Sequence, residues 1–175
     1  MKKLLIVCVA IFGITLSASA QEGFRVGIHG GVPLGDANDV SNFNYGADLS
    51  YLFQVRENLA IGAAGSYTTF SGDDIEIDNL PNIGIDDFSF ATVAGSARGE
   101  YNNLFLTADL GYAFGVDTGD LEPAFNLDND YNGGVYYQGK FGWTNGTFDI
   151  YGYYKGISGD DLNLSAVGAG FAYKI

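Results

Sequence analysis

Between Gly133 and Gly156 the chain reads GGVYYQGKFGWTNGTFDIYGYYKG, and two chemical classes alternate through it. Val135, Tyr137, Phe141 and Trp143 occupy one phase; Tyr136, Gln138, Lys140 and Gly142 occupy the other. The pattern resumes with Phe148, Ile150 and Tyr154 against Asp149, Tyr151 and Lys155. A repeat of two is the side-chain period of a β-strand. Asn145-Gly146, a dipeptide suited to two successive positive φ angles, predicts a tight hairpin turn between the runs. The hairpin therefore has an oily aromatic face and a face of charges and glycines. A soluble sandwich would hide the oily face in a core. A closed barrel in a bilayer inverts that arrangement, with the oily face to lipid and the polar face to the lumen.

The 175 residues suit one domain, and three features favour the inverted arrangement. Apolar residues make up 47% of the chain, yet mean hydropathy is only +0.08, because polar residues are interleaved with them. The 26 glycines and 3 prolines fit turns and close-packed strands. At the N-terminus, Lys2 and Lys3 precede an apolar run from Leu4 to Leu16 and the small residues Ala18-Ser19-Ala20. That is the pattern of a secretory signal over residues 1–20, cleaved before Gln21, which leaves a barrel domain at 21–175. Cys8, the single cysteine, falls inside the signal, so the mature chain forms no disulfide. No later segment is apolar enough for a membrane helix, and an exported chain that enters a membrane without one does so as a barrel. The net charge of -13 excludes nucleic acid as a partner by bulk electrostatics.

Six further stretches carry the alternation. Strand one is FRVGIHGGV, with Phe24, Val26, Ile28 and Val32 opposite Arg25, Gly27, His29 and Gly31. Strand two sets Phe43, Tyr45, Ala47, Leu49, Tyr51 and Phe53 against Asn44, Gly46, Asp48 and Ser50. Strand three runs from about Leu59 to Phe70. Strand four, about Phe88 to Arg98, is the least regular: Phe88 and Phe90 read as lipid-facing, and a bulge is expected to switch the phase beyond them. Strand five is LFLTADLGYAFG, strands six and seven are the opening hairpin, and strand eight runs to Ile175. Acidic loops follow the odd strands and short turns the even ones, the rhythm of an up-and-down barrel with both termini on the periplasmic side. Aromatics near both strand ends form two interfacial belts, Phe53, Trp143, Phe148 and Tyr173 toward the turns and Tyr45, Tyr67, Phe88 and Phe114 toward the loops. A lipocalin-like soluble barrel would have to pack all these aromatics into a narrow interior.

A signal peptide, eight alternating strands and a last strand rich in aromatics resemble the small bacterial outer-membrane β-barrel family, which includes the OmpA transmembrane domain and the OmpX and Ail-type proteins. The resemblance covers Gln21 to Ile175 and implies an all-β, eight-stranded antiparallel up-and-down transmembrane barrel in the cell outer membrane. Ile175 departs from the terminal Phe usual in that family. No peptidoglycan-binding domain follows, so cell-wall anchoring is not expected.

An eight-stranded barrel is about wide enough for its side chains to fill. The inward phase collects Arg25, His29, Asp48, Asp109, Lys140, Asp149 and Lys155, read as a polar network that neutralises its own charge, with a narrow ion path as the alternative. His29 faces inward, and no nucleophile spacing accompanies it, so no catalytic residue is assigned and the chain is not expected to be an enzyme. Fifteen acidic residues and no Lys or Arg fall in the four outer loops. Within them Asp128-Asn129-Asp130-Tyr131-Asn132-Gly133 matches the first half of a calcium loop, which makes Asp128, Asp130 and Asn132 weak metal candidates. The twelfth position, Gly139, lacks the required Glu. Diffuse divalent cations at the acidic rim fit better. The expected partners are outer-membrane lipids, those cations and an extracellular ligand or host surface; no cofactor is implied. The expected role is structural or surface interaction; the rivals are a porin-like channel and, less favoured, a lipid-modifying enzyme.

Overall fold

The computed structural model describes residues 23–72, 74–75, 83–84, 87–117, 133–159 and 163–175. Its strands are β1 (Gly23–Leu34), β2 (Ser41–Arg56), β3 (Leu59–Gly72), β4 (Asp74–Ile75), β5 (Ile83–Gly84), β6 (Phe88–Tyr101), β7 (Leu104–Asp117), β8 (Gly133–Thr144), β9 (Phe148–Ser158) and β10 (Asn163–Lys174). Eight of them close a barrel in the order β1-β10-β9-β8-β7-β6-β3-β2, while β4 and β5 pair separately. Every barrel pairing is antiparallel, so the chain runs up and down around the ring. Closure removes the unpaired edges an open sheet would present, which is what lets strands cross hydrocarbon. The barrel strands hold 11 to 16 residues, enough for a tilted strand to span a bilayer's hydrocarbon.

The alternation sorts the two surfaces. Ile28, Leu49, Ile61, Leu106, Leu110, Phe141, Ile150 and Phe171 are exposed on the outside. Asp48, Thr68, Thr107, Asp109, Gln138, Asp149 and Lys155 are buried within. Leu110 is 67% exposed and its neighbour Asp109 4%. That is the reverse of a water-soluble protein, and it follows directly from the pleat.

Strand β6 differs from expectation. Phe88 and Phe90 point into the lumen, buried in the same phase as Thr92, Ala94, Ser96 and Arg98. The outward positions are Ala91, Val93, Gly95 and Ala97. The register does shift beside Ser89 and Phe90, but the extra residue lies on β7, where Asp117 and Gly115 are consecutive partners. The phase of β6 is therefore unbroken. Phe88 leaves the outer aromatic belt and joins an internal stack, its ring 5.1 Å from that of Phe70 and nearly parallel.

The turns divide their chemistry differently from the expectation as well. Asn102 and Asn103 adopt φ 48 and 67, the left-handed pair of a two-residue hairpin turn. In Asn145-Gly146 only Gly146 is left-handed, with φ 87. Asn145 works through its side chain: Oδ1 accepts from the amides of Thr147 at 3.0 Å and Phe148 at 2.7 Å. An Asx-type turn thus replaces the expected one. At Glu57-Asn58 neither residue has a positive φ, and a register shift between Gln54 and Arg56 absorbs the mismatch with strand twist.

Candidate functional site

Along the barrel axis the lumen is layered, and the layers follow from which strand end each inward residue occupies. At the turn end Arg98 of β6 grips Asp149 of β9 with two bonds, Nη1 to Oδ2 at 2.6 Å and Nη2 to Oδ1 at 3.1 Å. Its Nε donates to Glu100 at 2.6 Å, and its guanidinium lies 3.7 Å from the centre of the Phe105 ring. Arg25 stands beside them, 3.4 Å from Asp149 and 3.6 Å from Glu100. A forked guanidinium on a carboxylate is the geometry that best compensates burial of both charges.

The next layer pairs Lys140 with Asp109 at 3.5 Å and with Asp48 at 3.8 Å. Asp48 also accepts from the Tyr151 hydroxyl at 2.8 Å. Above it the Lys155 ammonium, buried with 3% exposure, donates to His29 Nε2 at 2.7 Å and to Thr68 Oγ1 at 3.0 Å. With Nε2 accepting, the hydrogen of a neutral His29 sits on Nδ1 and is donated to Asp48 Oδ2 at 3.1 Å. Tyr153 adds a bond to Asn44 Oδ1 at 2.7 Å.

The loop end is apolar. Phe70, Phe88, Phe90, Ile157, Leu164 and Ala166 fill the bore, and Ala37 and Val40 fold over it from the first outer connection, a short 3-10 turn at Gly35–Asp39. The open space follows this layering. A cavity of about 260 Å³ lies at the turn end beside Arg25, Arg98, Glu100 and Lys174. One of about 30 Å³ lies deeper, beside Asp109 and Lys140, enough for a water or two. A pocket of only about 10 Å³ remains among Phe70, Phe90, Tyr136 and Leu164. The lumen is a polar recess stopped by an apolar plug.

The seven lumen residues read from the sequence fall into two sets. Arg25 and Asp149 are held together at the turn end, and Lys140, Asp109, Asp48, His29 and Lys155 are linked above them, with no ion pair or hydrogen bond between the two sets among the described residues. Sequence reasoning missed Arg98, the residue with the shortest ion pairs, because the two phenylalanines that open β6 drew its phase the wrong way. Thr92 and Ser96, in step with Arg98, carried the correct signal. The alternation puts Tyr136 and Tyr151 on the inward face without a role, and Tyr153, which it leaves unassigned, points inward with them. Asp128, Asp130 and Asn132 lie outside the described residues. Among the described residues no His, Cys, Asp and Glu cluster is arranged to hold a metal ion.

Asp48, His29 and Thr68 stand in line as acid, imidazole and hydroxyl, with His29 Nε2 at 3.2 Å from Thr68 Oγ1. Lys155 already donates to that Nε2, so the imidazole has no free lone pair with which to take a proton from Thr68. Thr68 is 3% exposed beneath the plug, with no room for a substrate beside it. What the set can do is neutralise and tie together charges from distant strands.

A closed antiparallel barrel with an apolar outer belt and a self-filled polar lumen defines the class: a small transmembrane β-barrel. The solved structures to which the chain is similar belong to it. The crystal structure of Ail, the attachment invasion locus protein of Yersinia pestis, superposes with a TM-score of 0.56 at 18% identity, over 88% of this chain and 97% of that one. Ail in complex with the heparin analogue sucrose octasulfate matches equally, at 15% identity. So does the backbone structure of Ail in a phospholipid bilayer nanodisc, over 99% of that chain. At these identities the likeness establishes the shared eight-stranded fold. No protein-family model matches the sequence, and neither does any curated protein.

Proposed function

We propose that this chain is an integral outer-membrane β-barrel, exported by cleavage of residues 1–20, whose work is done by its outer loops at the cell surface. The observation that carries this reading is the plugged lumen. A bore stopped by Phe70, Phe88 and Phe90 above a set of ion pairs offers no through-path, so transport is disfavoured and the loops remain as the variable surface. Planar bilayers test this: the protein is expected to give no steady single-channel current, and sustained conductance would favour the porin-like alternative. In cell fractionation it is expected in the outer membrane, migrating differently on gels before and after boiling.

The chemistry of the loops narrows the partner. Ail was solved with a sulfated heparin analogue, whereas these loops carry fifteen acidic residues and no Lys or Arg. A polyanion would meet like charge, so the partner is cationic or is bridged by divalent cations. Passage over immobilised heparin at low salt is expected without retention. Retention that survives chelation of divalent ions would contradict this partner chemistry.

A further inference from the structure

We propose that Tyr151 and Tyr153, with the ion pairs around them, latch the seam where the first and last strands meet. That seam is the β1–β10 pairing, Arg25 to Leu34 against Lys174 to Ser165. It joins the two ends of the barrel domain and closes the longest loop in the fold, so its formation carries the largest chain-entropy cost of any pairing.

Both tyrosines sit on β9 and reach over β10 and β1 to side chains on β2. The registers show how. Tyr153 lies opposite Gly168, Gly168 opposite Gly31, and Gly31 opposite Asn44, in one row across four strands. The two glycines leave a trough for the ring: a Cβ on either would come within 2.6 Å of the Tyr153 hydroxyl. The hydroxyl then bonds Asn44 on the far side. One step along, Tyr151 lies opposite Gly170, where a Cβ would strike its ring, and its hydroxyl reaches Asp48. Glycine is required here so that another strand's side chain can cross the seam.

The charges bridge the same gap. Lys155 to His29, Lys140 to Asp48 and Arg25 to Asp149 each join the β1–β2 hairpin to the β8–β9 hairpin. With the seam open, Asp48 and His29 on one hairpin and Lys140 and Lys155 on the other lose these partners. Buried charges without partners are costly, so an open seam is disfavoured from the inside as well as by the loss of backbone bonds. Tyr136 is the internal control. It too is a buried lumen tyrosine, but its hydroxyl bonds Gln138 on its own strand and faces Ser66 and Thr92 on β3 and β6, so it crosses no seam.

The experiment compares residue-resolved amide exchange of the wild type, Tyr151→Phe/Tyr153→Phe and Tyr136→Phe in bilayer nanodiscs. The double variant is expected to lose protection at least tenfold in β1 and β10, with β6 and β7 unchanged, and Tyr136→Phe to behave as wild type. Uniform loss, no loss, or the same loss in Tyr136→Phe would overturn the latch. If the double variant fails to fold, a staple decides. Ile28 and Phe171 are register partners on the lipid side, so Ile28→Cys/Phe171→Cys in the chain from Gln21 on, which holds no other cysteine, can bridge the seam from outside. Oxidation with copper phenanthroline is expected to restore a folded barrel; an oxidised but unfolded chain would sink the proposal.

Discussion

Single residues in this barrel are fixed by which side of the pleat they occupy, and Asp149 shows how much follows. It accepts from two Arg98 nitrogens and faces Arg25, so Asp149→Ala leaves the buried Arg98 guanidinium and the partly buried Arg25 without their principal anion. The expected loss is about 3–5 kcal/mol, read as a lower urea midpoint in detergent micelles; a change within error would mean that the pair is spectator chemistry. Turn residues carry smaller stakes. Asn102, left-handed at φ 48, should tolerate Gly, whereas Asn102→Val should lose about 1–2 kcal/mol, because a branched Cβ crowds that backbone conformation. The inward phase of the six charged residues and His29 was legible from alternation alone, since each sits one residue from an apolar neighbour. Their pairing was not, because it depends on which strands face each other across the bore. The behaviour of Asn145, bonding through its side chain, was also hidden, because Asn-Gly suits more than one turn.

Elements were legible where alternation was clean and uncertain where it was weak. β2 and β10 match their expected faces along their lengths, while the opening of β6 has the opposite faces to those its two phenylalanines suggest. Small residues at 91, 95 and 97 make its lipid side look unlike a lipid side, and Phe88 and Phe90 look like one. Their burial in the plug gives a test at this scale. Phe90→Ala removes a fully buried ring from the bore and should cost about 3–5 kcal/mol, whereas Val93→Ala on the lipid side should be nearly silent. Equal effects, measured by the same urea titration, would mean that Phe90 lies on the lipid side with Val93. At the same depth logic, Leu110→Arg places a charge on the outer belt and should cost about 2–4 kcal/mol if that position lies near the bilayer midplane.

At the scale of the whole molecule, closure and alternation combine into one picture: a barrel greasy outside, ionic inside and stopped at the loop end. The strand count and the up-and-down order were readable from the alternation of loops and turns. The plug was not, because it gathers residues from β3, β6, β9, β10 and the first outer connection, which only the closed ring brings together. Trp143 reports on the central claim directly. It is the only tryptophan in the chain, it lies on the outer face near the turns, and it is 46% exposed in the absence of lipid. Reconstituted into vesicles, it is expected to be quenched by lipids brominated near the headgroup end of the acyl chain and to resist aqueous iodide. Quenching by iodide with indifference to brominated lipid would place the aromatic face away from the bilayer and contradict the account.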